Sequence, residues 1–444
     1  MTEDNKLPYR EIWKNRLGVL PKAFRLLTII FAAVVVVYLV LDQIMWRRVV
    51  AQRQVFLEKF GGVEFEDFRP QRPPPHEDAG RVYSYAIALI AKANARYGGW
   101  EPLLLLVDQK YAAEMLHLDH SPTREEIVPL VRERLLAMQG GLDLVREASL
   151  LNQGSTITNS DPELTMRTLA QARVLARKIA AKARVVAIDG NTEEAFEWVT
   201  AGLHFANSFR NEPTIICQMF RFALTGIAVS AAREILDVSD DSPPISDSLR
   251  RELDIARRQQ DFIRVLAGEV AGSRTRYRTH YNGIRSLRLL ASTRELELNH
   301  FLFDLADAMQ EDVLTERREA LAEVAEKAES YRLTPFSTVP ALCRGVARAV
   351  EIYDRNVALC DELELALALR AYKRQLGTYP DQLSLLTPTY IEVLPKDPFS
   401  GKDYLYRTEN EGFLLYSVGR DLKDDGGTPM KGGAQGDIVW KTLK

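Results

Sequence analysis

Cysteine is scarce in this chain, with three residues in 444: Cys217, Cys343 and Cys360. Three cysteines are too few for a disulfide framework. Cys343 and Cys360 fall in one stretch of helical periodicity, and on a continuous helix their spacing of 17 residues corresponds to about 25 Å, which excludes a bridge between them. We therefore expect ordinary buried thiols.

The chain also has little net charge, and it lacks the common catalytic signatures. The 58 basic and 61 acidic residues leave a net charge of −3, so no global field attracts nucleic acid, and we expect no such partner. The sequence contains no glycine-rich phosphate loop before a helix, no nucleophile-elbow serine, no His-Glu-x-x-His and no Cys-x-x-Cys. Most carboxylates lie beside Arg or Lys in amphipathic stretches, which is typical of solvated helix faces. The sequence predicts a non-enzyme with no catalytic residue.

One long apolar run is present near the start of the chain. Residues 26–41 carry no charge, and extended to Trp46 the run reaches about 20 residues, enough to cross a hydrocarbon core of roughly 30 Å. No small-residue cleavage site follows it, which favours a retained transmembrane helix at residues 25–46 over a cleaved signal peptide. Basic residues are nearly balanced on its two sides, so charge alone leaves the orientation open.

The chain beyond this run is mostly helical in pattern. Residues 47–80 are interpreted as a juxtamembrane segment and a proline-rich spacer, because the consecutive prolines 73–75 favour polyproline II. Residues 81–345 show helical periodicity and predict an α-helical domain. Its clearest unit is an αα-hairpin at 169–208, with Asn191 as a helix N-cap. The hairpin looks like one tetratricopeptide-type repeat, but no fixed period of 34 residues recurs, so we predict irregular stacked hairpins.

The last part of the chain, residues 346–444, combines a helix end, turns and two strand-like runs. The residues that define this pattern are Tyr379, Pro380, Asp397, Pro398, Tyr416, Ser417, Gly419, Asp421, Gly426, Gly427, Asp437, Ile438 and Trp440. Their order resembles the C-terminal domain of the major pseudopilin of type II secretion systems. The whole chain also resembles membrane-anchored proteins of planctomycete-type bacteria, a likeness that implies no activity.

The pseudopilin resemblance implies a fold for residues 346–444. A helix ending near Gly377 would pack on a short antiparallel sheet containing 404–407 and 412–417. The side chains that we expect in its core are Tyr406, Phe413, Leu415 and Trp440. The predicted fold class is therefore mainly α, with a single transmembrane helix, an irregular α-helical domain and a small α+β C-terminal domain. The N-terminus departs from the family, because the apolar run has no acidic residue before Asp42 and no short basic leader precedes it.

An acidic, glycine-rich loop is the main candidate site. Asp421, Asp424, Asp425 and Asp437 lie within 17 residues, and calcium prefers carboxylate and carbonyl oxygens in flexible loops. The spacing does not fit an EF-hand. The resemblance implies calcium binding at the positions of Asp421 and Asp437, with Asp424 and Asp425 as further ligands. The alternative is a solvated acidic turn without a metal.

Two other polar patterns carry weaker functional hypotheses. Glu114, His117 and His120 have the spacing of one helix face, but no partner motif accompanies them, so we interpret them as a polar helix end. The basic segment 273–288, with interleaved tyrosines, is interpreted as a loop between two helices. A weak contact with lipid or phosphate is its alternative.

Together these features predict a non-catalytic scaffold or assembly component linked to a type II secretion or pilus-like system. Because pseudopilin domains lie outside the inner membrane, residues 1–24 would be a cytoplasmic tail and the remainder would be extracytoplasmic, with protein partners in the envelope and the oligomeric state left open. The alternative is an envelope enzyme or sensor with its site in the helical domain. A pocket of convergent polar groups within 81–345 would favour that alternative. The tail could also be a reused fold without any role in secretion.

Overall fold

A computed structural model describes most of the chain. The described residues are 22–96, 106, 119–152, 154–155, 162–239, 243–281, 288–311, 314–331, 337–409, 411–430 and 436–442. Nearly all of the predicted tail 1–24 lies outside these ranges. Contacts between elements divide the chain into two units, one formed by 1–63 with 273–300 and the other by 64–272 with 301–444.

The described residues are mainly helical, which confirms the predicted fold class. The helices are α1 (Lys22–Phe60), α2 (Ala79–Arg96), α3 (Arg124–Ala137), α4 (Gln139–Ser149), α5 (Pro162–Ile188), α6 (Thr192–Asn207), α7 (Ile215–Val238), α8 (Asp247–Arg257), α9 (Gln259–Tyr281), α10 (Arg288–Met309), α11 (Leu314–Ser330) and α12 (Val339–Leu376). The strands are β1 (Leu405–Glu409), β2 (Gly412–Ser417) and β3 (Ile438–Lys441).

The first unit contains the apolar run. In α1 the side chains of the run are exposed, as a helix that faces lipid would require. Asp42, near the end of the predicted span, is instead buried and accepts a hydrogen bond from Arg288 Nε at 2.9 Å. Further along α1, Arg53 forms a bidentate ion pair with Glu295, at 2.7 and 2.8 Å. Among the described side chains of α1, the first buried one therefore comes where the uncharged run ends, and α1 is a candidate membrane anchor.

A second helix is long and apolar enough to span a membrane by the same criteria. It is α7, but 67% of its apolar window is buried. In the second unit α7 packs against α5, α6 and α12. We therefore assign it to the core rather than to a membrane.

The predicted αα-hairpin is confirmed. Helices α5 and α6 pack on each other, and the Asn191 side chain accepts a hydrogen bond from the backbone of Glu194, which caps α6. Gly190 has a φ of +88°, a conformation that favours glycine and lets the chain reverse between the two helices. Helices α2, α4 and α8 add further layers around this pair.

The interpretation of the basic segment as a loop is wrong for residues 273–281, because α9 runs through Tyr281. No glycine or proline occurs between Ser273 and that residue, so nothing in the sequence ends the helix there. The side chains after Thr275 lie outside the described part, and the alternative contact with lipid or phosphate stays a prediction.

The tail forms the predicted helix and antiparallel sheet. Helix α12 ends at Gly377, whose φ of +85° gives a left-handed C-cap. The strand order is β1-β2-β3, with Leu415 paired to both Tyr406 and Trp440. Of the expected core residues, Phe413, Leu415 and Trp440 are buried, whereas Tyr406 is half-buried and donates its hydroxyl to the Pro380 carbonyl at 2.8 Å.

Helix α12 links the tail to the helices before it. It runs without a break through residue 346, where the sequence places a domain boundary, and it contacts α7, α8 and α11 as well as β2 and β3. No glycine cap or proline interrupts it between Pro340 and Gly377. The tail and the helical region of the second unit therefore share one continuous helix.

Candidate functional site

The acidic loop is organised around Asp437. This side chain is buried, and its two carboxylate oxygens accept the backbone N–H groups of Gly427 at 2.8 Å and Asp425 at 3.4 Å. Burial raises the pKa of Asp437, and the charges of Asp425 and Asp424 raise it further against the two backbone hydrogen bonds. Asp437 therefore fixes the loop, in a region of excess negative charge.

The other three aspartates occupy different parts of the loop. Asp424 Oδ1 accepts from the Tyr416 hydroxyl and from the Gly426 backbone, each at 2.9 Å. Asp421 Oδ1 accepts from the Lys423 backbone at 3.2 Å, and Asp425 is exposed. Within the described residues, no three acidic, histidine or cysteine side chains form a group ready to hold a metal ion. The loop thus brings Asp424 and Asp425 near Asp437, while the described geometry does not by itself form a complete cation site.

The predicted histidine pattern is described only at its end, because Glu114 and His117 lie outside the described residues. His120 precedes α3, and its Nε2 lies 3.3 Å from Glu126 Oε1. Glu126 also accepts from the Thr123 backbone at 2.7 Å and completes a capping box for α3. His120 therefore contacts a helix-capping residue.

A buried group of charges in α12 was not predicted. Asp361 and Glu364 both accept hydrogen bonds from Arg257 Nη1 of α8, at 2.7 and 2.8 Å. The Tyr404 hydroxyl, at the start of the sheet, donates to the other oxygen of Asp361 at 2.8 Å. Burial raises the pKa of Asp361 to about 6, although Arg257 and Tyr404 act against this shift. These contacts join α8, α12 and the sheet.

Glu362 belongs to the same turn of α12 but is poorly compensated. Its side chain is fully buried, and Arg233 Nη2 lies 3.5 Å away, at the limit of a hydrogen bond. Burial raises its pKa well above the usual value of a glutamate, and Asp361 and Asp397 add to this effect. Asp397 in turn accepts from the Ser417 hydroxyl at 2.7 Å and the Ser400 hydroxyl at 2.8 Å. Two residues of the pseudopilin-like pattern, Asp397 and Ser417, therefore hold a turn against β2.

A polar groove of about 810 Å³ lies between α4, α6 and α8 in the helical region. We call it the polar groove. Its lining includes Arg146, Ser149, Asn152, Glu197, Thr200, His204, Arg210, Ser248, Arg251 and Glu252. Its volume lies within the range of roughly 300–1,000 Å³ typical of ligand sites.

At the inner wall of the polar groove, His204 is held in place by hydrogen bonding. Its Nδ1 lies 2.7 Å from the Tyr83 hydroxyl. Burial lowers the pKa of His204, so the imidazole is neutral at pH 7. Glu252, which is also buried, accepts from Asn207 Nδ2 at 2.9 Å. This wall of the groove is therefore polar, and its hydrogen-bonded histidine carries no charge at pH 7.

Positive groups predominate around the polar groove. Arg146 is paired with Glu197 at 2.6 Å, and the largely exposed Arg251 lies 3.7 Å from Glu252. Arg210 contributes a third guanidinium, whose buried Nε has no hydrogen-bond partner in the described structure. Three arginines thus face two glutamates, an arrangement that suits a ligand with anionic and hydrogen-bonding groups.

The groove does not show the geometry of covalent catalysis. The Ser149 hydroxyl donates to the Arg146 carbonyl, and the Ser248 hydroxyl lies 3.0 Å from that of Ser246. Neither serine is hydrogen-bonded to His204 in the described structure, as an activated nucleophile would be. The arrangement can bind and orient a polar ligand.

His204 was not among the candidate residues that the sequence indicated, although the sequence contains a signal for it. His204 and Asn207 lie three residues apart on α6, among apolar residues of its buried face. Polar side chains on such a face must find partners, and this requirement indicates a polar interior.

Comparison with protein-family models, with curated proteins and with solved structures finds no match to this chain.

Proposed function

We propose that this protein is a membrane-anchored, non-catalytic binding protein of the bacterial envelope. In this proposal α1 is the anchor, and the polar groove holds an anionic segment of a protein partner. The observation that carries the proposal is the convergence on one groove of three arginines, a neutral histidine and several hydrogen-bonding side chains, contributed by α4, α6, α8 and the loop after α6.

The proposed setting is a type II secretion or pilus-like system, in which the protein acts as a scaffold or assembly component. Its N-terminus would be cytoplasmic, and the main domains that follow the anchor would be extracytoplasmic. The support for this setting is the pseudopilin-like residue pattern together with the sheet that those residues form. Asp397 and Ser417 contribute to that fold through their hydrogen bond.

A photo-crosslinking amino acid at Thr200, inside the groove, tests the partner in living cells. We expect a crosslink to one extracytoplasmic secretion component, which Arg251→Glu should weaken about ten-fold because it reverses a charge at the groove. Arg167→Glu is the matched control, since Arg167 is exposed and paired only locally with Glu163. A crosslink to a cytoplasmic protein, or one equally weakened by both variants, would contradict the proposal.

A second candidate is an envelope sensor that binds a small anionic molecule in the same groove. The buried Nε of Arg210 favours it, because a compact anion could satisfy this donor. Under this hypothesis, native mass spectrometry of the purified chain should show a small molecule that Arg210→Met removes. The Thr200 crosslinker should then capture no protein.

Calcium binding by the acidic loop remains part of the proposal. With a typical extracellular affinity of about 10⁻⁴ M, millimolar calcium should stabilise the full chain in nanodiscs by about 1–2 kcal/mol. Thermal unfolding should therefore shift upward with calcium and return with chelator. Asp425→Asn should abolish the shift, whereas Asp403→Asn, an exposed carboxylate paired with Lys396 outside the loop, should preserve it.

Asp437 is unsuitable as the test residue, because its carboxylate fixes two backbone N–H groups without any metal. Replacing it should destabilise the loop whether or not calcium binds. An unchanged transition in the presence of calcium would identify the loop as a solvated acidic turn, and the groove proposal would stand independently.

A further inference from the structure

A second cavity lies between the end of α10, α11 and α12 and has a volume of about 510 Å³. Its interior is apolar, with Phe301, Leu305, Val324, Val346, Val350 and Phe399 as buried lining residues. Burial of apolar ligand surface against such walls is favourable in proportion to the area removed from water. The cavity is therefore suited to a hydrocarbon chain.

Positive charge surrounds this apolar interior. The lining contains the four arginines Arg318, Arg344, Arg348 and Arg420. Arg348 and Arg420 share one carboxylate, that of Glu351, at 3.1 and 3.2 Å. The lining thus has more guanidinium groups than carboxylates to balance them.

Arg318 is the least compensated of the four. In the described part of the chain it forms no ion pair, and its guanidinium lies 5.9 Å from the ring centre of Phe399. Burial lowers its pKa more than the nearby Asp354 raises it. Arg318 therefore presents a partly desolvated cation beside the apolar interior.

Asp354 does not neutralise this cation fully. Its carboxylate pairs instead with Arg317, at 3.3 Å. Burial raises the pKa of Asp354 to about 7, so that near neutral pH a large fraction of these carboxyl groups is protonated. The lining therefore keeps an excess of positive charge beside Arg318.

We propose that this cavity binds a free fatty acid, with the acyl chain in the apolar interior and the carboxylate on Arg318. A guanidinium recognises a carboxylate through parallel, charge-assisted hydrogen bonds. The cavity is lined by residues different from those of the polar groove, so the inference is independent of the proposed function.

The test compares dodecanoate with dodecanol, using the full chain in phosphatidylcholine nanodiscs and empty nanodiscs as the reference. All three cysteines are buried, but Cys343 lines the cavity and is 8% exposed, whereas Cys217 and Cys360 lie elsewhere and are 2% and 0% exposed, so protection of Cys343 from a maleimide reports occupancy. We expect dodecanoate to protect Cys343 at concentrations about ten-fold lower than dodecanol, because only the acid can pair with Arg318.

Two variants complete the test. Arg318→Gln should abolish the ten-fold preference for the acid while leaving protection by dodecanol unchanged. Ala347→Trp, at an exposed helix position that lines the cavity, should reduce protection by both compounds. Equal protection by acid and alcohol in the unmodified chain, or a preference that survives in Arg318→Gln, would overturn the proposal. Protection of Cys343 by vesicles of anionic phospholipid, but not by dodecanoate, would also overturn the proposal, since the ligand would then be a membrane lipid.

Discussion

Replacement of Arg257 by methionine is expected to lower the free energy of unfolding by about 3–5 kcal/mol near pH 8, because it leaves buried carboxylates without their cation. Arg257 holds both Asp361 and Glu364 of α12, and neither side chain can reach bulk water. Methionine keeps most of the apolar volume, so the loss should reflect charge rather than a cavity. Urea denaturation followed by circular dichroism measures the change.

Arg250→Met is the matched control on the same helix. Arg250 approaches Glu364 only at 4.0 Å and is 46% exposed. Because Arg250 is largely solvated and this contact is long, it should contribute only about 0–1 kcal/mol, so the control should stay close to the original stability. Equal losses in the two variants would show that the buried pairs contribute nothing beyond ordinary surface charge.

Replacement of Glu362 by glutamine is expected to stabilise the protein at pH 8 by about 1–3 kcal/mol and to have little effect at pH 5. Burial raises the pKa of Glu362 in the folded protein. The stability that this raised pKa adds is therefore complete below about pH 4.5, the pKa of the unfolded chain, and is lost as pH rises. At pH 8 the folded state must either keep this carboxyl protonated or bury its charge. Glutamine keeps the shape and an acceptor oxygen without that cost.

Glu364→Gln provides the contrasting variant two residues away. Glu364 makes a 2.8 Å charge-assisted bond with Arg257, so its neutralisation should destabilise the protein at pH 8.

The raised pKa values of Asp361, about 6, and Asp354, about 7, lower the stability with rising pH in the same way as that of Glu362. The unmodified chain should therefore lose stability from about pH 4 to about pH 7. A Glu362→Gln variant with an unchanged pH profile would refute this account.

The sequence predicted the elements whose signals are local. The uncharged run of α1, the Asn191 cap of the hairpin and the Gly377 end of α12 each depend on residues a few positions apart. These features follow from periodicity, capping and turn chemistry, which neighbouring residues determine. The sheet was anticipated differently, because it was what the resemblance of the pattern around Tyr416 and Trp440 implied.

The buried charges could not be predicted in this way. Asp361, Glu362 and Glu364 lie within a span of four residues in a helical stretch, and acidic residues on a helix usually belong to a solvated face. Their surroundings depend instead on Arg257, which is 104 residues from Asp361 in the sequence. The polar groove has the same origin, because it is lined by α4, α6 and α8, which are separated along the chain by other helices.

The continuity of α12 has a practical consequence for protein engineering. A cut at residue 346 would divide a helix in its first third, and the freed tail would expose Asp361, Glu362 and Glu364 on a newly uncovered surface. Trp440 in the last strand would lose the guanidinium of Arg233, which lies 4.6 Å from its ring centre. Residues 346–444 therefore should not fold as an isolated unit. Grafting them onto another protein would require transfer of α7, α8 and α11, the helices that contact α12.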